Sequence, residues 1–363
     1  MTAVSRADVE NALKGYVDPY LGKDLVAAKC VKTIRTEDDR VEVEVELGFP
    51  AAGYRDALSA ALRDRLKILP GAGEVAIRVE SRIIAHEVQK GLKPLPGVKN
   101  IIAVASGKGG VGKSTVAVNL ALALSLEGAN VGLLDADIYG PSQPRMLGAN
   151  ERPQSQDGKT MEPVVSHGVQ SMSIGYLIEE ETPMVWRGPM VTQALEQLLR
   201  DTRWQNLDYL VIDLPPGTGD TQLTLAQKVP VSGAIIVTTP QDIALLDARK
   251  GLKMFEKVEV PMLGIVENMS IHICSKCGHE EHIFGQGGGQ RMAAQYNVPF
   301  LGALPLDIRI REETDGGQPT VAAEPDSRIA GLFRDIARHA AARLSLQAKN
   351  YSHKFPTIVI QNT

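Results

Sequence analysis

The apolar positions change their rhythm about a quarter of the way along the chain. In the first part, Val41 to Leu47 alternates strictly between apolar and acidic residues, and Tyr54 to Ile68 repeats its apolar residues at helical spacing. Period 2 predicts a half-buried strand with a solvated acidic face, and the longer period predicts an amphipathic helix. Ser5-Arg6-Ala7-Asp8 reads as a capping box opening a helix that ends near Gly15. Asp18-Pro19 marks a turn, and Lys29 to Ile34 and Glu74 to Glu80 are further strands. Residues 1–81 are thus expected to form a small α/β domain. Gly91, Pro94, Pro96 and Gly97 mark residues 82–99 as a linker.

Beyond it, short apolar runs alternate with helical patterns. Strands are expected at Ile101 to Ala105, up to Leu133-Leu134, at Tyr209 to Ile212, Ala234 to Thr238 and Met262 to Val266. Runs apolar at every position suit strands covered on both faces, so residues 100–348 predict a doubly wound, mostly parallel α/β sheet. The last helix, Ser327 to Gln347, carries Ile329, Leu332, Phe333, Ile336 and Leu344 on one face. It is expected to pack on the sheet, with Arg328, Arg334, Arg338 and Arg343 reaching water. Residues 349–363 form a tail without pattern.

Composition narrows the function. A net charge of −4 over 363 residues argues against a nucleic-acid surface, and six Phe and two Trp offer no stacking platform. No apolar run approaches the roughly 20 residues of a membrane span, and the first residues lack the apolar core of a signal peptide. The expectation is a cytoplasmic protein without a membrane partner. Three cysteines exclude a disulfide framework, while a close pair among them points to metal or redox chemistry.

The chemistry begins at residues 101–115, IIAVASGKGGVGKST. An apolar strand, a glycine loop (Gly107, Lys108, Gly109, Gly110, Val111, Gly112) and the helix-opening Lys113-Ser114-Thr115 form a phosphate-binding loop. Its backbone N–H groups and helix dipole converge on one anion, Lys113 adds a charge at the β/γ-phosphates, and the Ser114 hydroxyl can ligate Mg²⁺. Two later strands deliver carboxylates to the same crevice: Asp135 and Asp137, and Asp213 as the Walker B residue that holds Mg²⁺ through water. Pro215-Pro216-Gly217-Thr218-Gly219 after Asp213 suits a loop with two discrete positions. No guanine-reading motif follows, so ATP is preferred. A second constellation is Cys274-Ser275-Lys276-Cys277 with His279 and His282 nearby. One C-x-x-C pair is half a tetrahedral thiolate site. It could be completed by a second subunit, by the histidines around zinc, or serve as a dithiol.

The second lysine of the loop, Lys108, gives the pattern K-G-G-x-G-K-[ST], which resembles the deviant Walker A ATPases. The runs D-A-D-x-x-G-P-S, W-R-G-P-M and W-x-x-L-D-Y-L-V-I-D-x-P-P-G-x-G-D resemble the Mrp/ApbC group of iron–sulfur cluster carriers within that class. Residues 1–81 look like the iron–sulfur assembly domain fused to many of them, although Gly48 to Ala52 replaces the Cys-Pro pair found in relatives. Cys30 reads as a buried apolar residue rather than a ligand. The resemblance implies an ATP-hydrolysing homodimer in which Lys108 reaches the partner's nucleotide, Asp137 activates water, Asp135 supports Mg²⁺ and Asn268 contacts adenine. It implies that Cys274 and Cys277 of two subunits hold a cluster of the 4Fe-4S type, delivered to apo iron–sulfur proteins. The rival is a Min/Par-like positioning ATPase with a zinc knuckle.

Overall fold

The computed structural model describes residues 4–89, 91–178, 188–274 and 276–349. Trp186 and Arg187 of the W-R-G-P-M run, Ser275 and the tail from 350 lie outside the described residues.

The first unit runs α1 (Arg6–Lys14), the short pair β1 (Val17–Asp18) and β2 (Lys23–Asp24), β3 (Val31–Glu37), β4 (Arg40–Leu47), α2 (Arg55–Lys67) and β5 (Val75–Ser81). The capping box forms: Ser5 Oγ accepts the Asp8 N–H and the Asp8 carboxylate accepts the Ser5 N–H. β3 pairs antiparallel and β5 parallel to β4, whose Val41, Val43, Val45 and Leu47 are buried. Leu58, Leu62 and Leu66, one helical face, bury α2 against this sheet. β3 starts at Val31, later than expected. Lys29 has φ +58°, and the Cys30 N–H closes a turn on the Leu25 carbonyl, so the ladder cannot begin there.

The second unit runs β6 (Val98–Ala105), α3 (Lys113–Leu126), β7 (Val131–Asp135), α4 (Gln143–Met146), β8 (Val164–Ser166), β9 (Val169–Ser173), α5 (Gly188–Arg200), β10 (Leu207–Asp213), α6 (Asp220–Lys228), β11 (Gly233–Thr238), α7 (Asp242–Lys257) and β12 (Met262–Glu267). It continues with the hairpin β13 (His272–Ile273) and β14 (Glu280–Glu281), α8 (Gly288–Tyr296), β15 (Phe300–Ala303), α9 (Ile308–Asp315), α10 (Thr320–Ala323) and α11 (Arg328–Ser345). The large sheet has the order β15-β12-β11-β6-β10-β7-β9-β8, parallel except for β8. Every residue of β7, β10 and β11 is buried, which is why those runs are mostly apolar, with Asp135 and Asp213 at strand ends and Asp208 near the start of β10. The expected linker also differs. β6 takes in its last two residues, and His86 within it is buried, its backbone N–H donating to Asn100 Oδ1 at 3.1 Å.

Arg328 and Arg343 of α11 are exposed as expected, but Arg334 and Arg338 depart from the sequence expectation. Arg338 is 8% exposed and donates to Glu127 Oε1 at 2.5 Å, and Arg334 donates to the same oxygen at 2.8 Å. Glu127 caps the C-terminus of α3, and its Oε2 accepts the Gly53 N–H of the first unit at 3.0 Å. A buried carboxylate is a stronger partner for guanidinium than water when its remaining lone pairs are also met. Burial alone would raise its pKa; donation from Arg338 and Arg334 outweighs this and holds it below the ordinary 4.5. This clamp ties the end of the phosphate-loop helix to both α11 and the first unit.

Candidate functional site

The phosphate loop leaves the central strand β6 and enters α3 through Gly112, whose φ of +80° favours glycine. A Cβ at Gly112 would lie 2.3 Å from Asn268 Nδ2, and one at Gly107 2.1 Å from the Asp247 backbone of α7. The glycines therefore serve close packing behind the loop as well as its curvature. Gly109 and Gly110 remain exposed and Val111 is buried. Asn268, at the end of β12, donates from Nδ2 to the Val111 carbonyl at 2.9 Å and accepts the Met269 N–H at 3.0 Å. One N–H and one lone pair of its amide thus brace the loop.

Lys113 is 6% exposed, and its Nζ lies 2.5 Å from Asp213 Oδ1 and 3.2 Å from Ser114 Oγ. Asp213 is fully buried at the end of β10, one strand from the loop. Its Oδ2 accepts from Gln143 Nε2 at 2.9 Å, and the same nitrogen reaches the Ser114 carbonyl at 3.1 Å. The parallel register sets Asp135 of β7 directly beside Asp213. Asp135 accepts the N–H groups of Asp137, Ser142 and Gln143 and the Ser173 hydroxyl, all within 3.1 Å. Burial first, and the Asp213 charge second, push its pKa up, against the opposing N–H donors and Lys113. Three of its four partners are backbone N–H groups of the loop at 137–143, so Asp135 shapes that loop. Asp137 is half-buried and accepts the Gly140 N–H at 3.3 Å; desolvation raises its pKa, with Lys113 opposing. Lys108 is half-buried and makes no ion pair among the described residues. Thr115 sits in the first turn of α3, its carbonyl accepting from Asn119 Nδ2. The loop after Asp213 is pinned at both ends, Leu214 N–H to the Val104 carbonyl and Gly217 N–H to the Ser106 carbonyl, each 3.0 Å.

Sequence reasoning passed over Gln143. The signal was a carboxamide in the D-A-D-x-x-G-P-S-Q run, eight residues after a strand-end aspartate.

The C-x-x-C run forms the tip of the β13–β14 hairpin. The Cys274 N–H donates to the His279 carbonyl at 2.9 Å, and the Gly278 N–H to the Cys274 carbonyl at 2.8 Å. Cys277 is exposed and Cys274 half-exposed. Hydrogen bonds from the Lys276 and Cys277 backbone, and then from the Cys277 side chain, hold the Cys274 thiol below its ordinary range. The histidines turn elsewhere. His282 Nδ1 meets the Ser270 carbonyl at 2.9 Å, and His279 Nε2 lies 3.7 Å from Glu281. Among the described residues no three His, Cys, Asp or Glu side chains gather where they could hold a metal ion. One chain thus offers two thiols at an open tip, donors suited to iron and half a set. Cys30 is buried, 5% exposed, and burial pushes its thiol up to about 11. Among the described residues no helix is long and apolar enough to cross a membrane.

The chain is similar to known proteins over both units. Residues 97–341 match the family described as NUBPL iron-transfer P-loop NTPase, and residues 6–79 match the iron–sulfur cluster assembly protein family. The chain is 52% identical over 345 residues to the iron–sulfur cluster carrier protein of Escherichia coli K12, covering 95% of this chain and 94% of that protein. It is 49% identical over 283 residues to the mouse iron–sulfur cluster transfer protein NUBPL, covering 76% and 89%. Among solved structures, a nucleotide-binding protein of Archaeoglobus fulgidus in complex with ADP aligns with a TM-score of 0.56 at 37% identity, over 64% of this chain and 90% of that one. The cell division ATPase MinD of Pyrococcus furiosus, at 24% identity and TM-score 0.51, shares the fold, over 66% and 97%. A buried lysine–aspartate pair under a glycine loop, an open two-thiol hairpin and these matches make the chain a member of the NUBPL-type iron-transfer P-loop NTPase family.

Proposed function

We propose that this protein carries iron–sulfur clusters to apoproteins and couples that task to slow ATP hydrolysis. The observation that carries the reading is the contrast between a nucleotide site nearly complete in one chain and a thiol pair that one chain leaves half-built. Cubane clusters generally take four thiolates. A two-fold axis through the β13–β14 hairpin supplies Cys274 and Cys277 twice without new sequence, so the cargo is a 4Fe-4S cluster shared by a homodimer. The zinc knuckle loses its support, because neither His279 nor His282 turns to the thiols.

At the other site, Lys113 leaves Asp213 for the β/γ-phosphates when nucleotide binds. Asp213, so freed, and the Ser114 hydroxyl would hold Mg²⁺, both being hard oxygen donors suited to that ion, which would neutralise phosphate charge. Asp137 orients the attacking water. Asp135 acts through the loop it shapes, and Lys108 reaches across the dimer. Asn268 holds the loop and contacts adenine only after turning off Val111. Turnover should be below about 1 s⁻¹, as for P-loop sites that await a partner's charge. Three free cysteines and an oxidation-sensitive cargo support a cytoplasmic location. Anaerobic reconstitution with iron and sulfide, followed by transfer to an apo-enzyme with and without ATP, tests the whole reading. About four irons per two chains and ATP-dependent transfer are expected. A stoichiometric zinc monomer would overturn it.

A further inference from the structure

The side chain joining the two halves of the nucleotide site is Gln143, which no phosphate-loop or strand-end motif requires. It is 1% exposed. Its backbone N–H donates to Asp135 Oδ2, and it is the first residue of α4. Its Nε2 donates both to Asp213 Oδ2 and to the Ser114 carbonyl. A primary carboxamide carries two N–H hydrogens and an oxygen with two lone pairs. Both hydrogens are spent, while Oε1 is buried and meets no donor among the described residues. Such an acceptor bears its desolvation cost uncompensated. The amide oxygen and nitrogen share one carbon, so Oε1 lies beside Nε2, next to the Ser114–Asp213 pair that flanks the magnesium position.

Magnesium dehydrates reluctantly and keeps several waters, which present hydrogens outward. A buried acceptor lacking a donor, at the edge of a site for a hydrated cation, is matched to one of them. Asp135 is already engaged by four donors, and Asp213 keeps Gln143 on Oδ2, so the departure of Lys113 releases only its Oδ1.

We propose that Gln143 is a positioning residue for Mg²⁺–nucleotide: Oε1 accepts a hydrogen bond from a metal-bound water while Nε2 holds Asp213. Metal occupancy then passes through the Gln143 backbone into the loop at 137–143, where Asp137 sits. This inference rests on reading the site as one for Mg²⁺ and ATP.

The test is calorimetric binding of ADP and of a non-hydrolysable ATP analogue to the full chain, in EDTA and across a Mg²⁺ titration. Gln143→Met keeps the volume and removes the amide. Its metal-free affinity should stay within about twofold of the unmodified protein while its Mg²⁺ midpoint rises about tenfold, the usual scale for an outer-sphere partner. Gln143→Glu keeps an acceptor, and its midpoint should sit at or below that of the unmodified protein. Near-UV circular dichroism checks packing; should Gln143→Met not fold, Gln143→Asn, which withdraws the amide by one methylene, carries the comparison. An unshifted Mg²⁺ midpoint, or an equal loss of metal-free binding, overturns the role of Gln143. If instead the unmodified protein binds nucleotide without regard to Mg²⁺, and Lys113→Ala binds as well, the reading of the site itself falls.

Discussion

The nucleotide site and the thiol hairpin are built on opposite plans. The phosphate loop is backed from behind by its own chain: Asn268 and the Asp247 backbone pack close to Gly112 and Gly107, and Lys113 is held by a buried carboxylate. The hairpin has a two-residue ladder, exposed or half-exposed thiols, and histidines facing away. A site that recognises a small polyanion gains from preorganised N–H groups and fixed charges, because reorganisation is then not charged against binding. A site that must release its cargo gains from the reverse. In the proposed dimer, ligands at an exposed tip completed by another copy would be taken apart by separating two surfaces.

The largest effect that can break this contrast is at the hairpin. Cys274→Ala or Cys277→Ala should abolish cluster assembly outright while nucleotide binding is unchanged; a variant retaining its iron by absorbance and iron assay would end the two-thiol reading. Next is Lys113→Ala, which removes the phosphate charge and strands a buried Asp213. It should lower ATP affinity about 100-fold or more in calorimetry, and destabilise the fold by about 3 kcal/mol, since half of a buried pair remains.

Glu127 probes how far the bracing of the nucleotide site extends. Glu127→Ala leaves two guanidinium groups without their carboxylate and should cost about 3 kcal/mol in urea unfolding. The folded carboxyl is depressed from 4.5, so its contribution is present above that value and fades as pH falls through the lower folded one. Glu127→Gln should accordingly unfold with less acid sensitivity below pH 4.5 than the unmodified protein. Identical acid limbs would show that the clamp contributes nothing.

Smaller still is Lys108→Ala. It should bind ATP within about twofold of normal yet hydrolyse it about tenfold more slowly, because a charge contributed across a dimer acts in the transition state. Wild-type turnover would remove the cross-subunit role. At the far end, His279→Ala and His282→Ala should leave iron content unmoved, whereas loss of metal in either would restore the zinc knuckle.

Much of this protein was legible in its sequence because the relevant signals are local. A strand, a glycine loop and a lysine-serine pair lie within fifteen residues. The buried strands advertise themselves by apolar runs of four or five residues, and Asp135 and Asp213 fall at strand ends whatever the sheet order. The C-x-x-C spacing alone announces a two-thiol turn. Tertiary structure decided the partners. Gln143 lies 70 residues from Asp213 along the chain and Asn268 lies 157 from Val111, and no periodicity reports such pairs. The same distance explains Arg334 and Arg338, which a helical pattern assigns to water. The pattern records which face is charged, not that a buried glutamate more than 200 residues away waits opposite. Sequence determined which groups are present and in what local geometry, since backbone propensity and spacing act over a few residues. Only the fold decided which of those groups satisfy one another, because burial makes an unmet charge or hydrogen bond costly and so selects the partners across the chain.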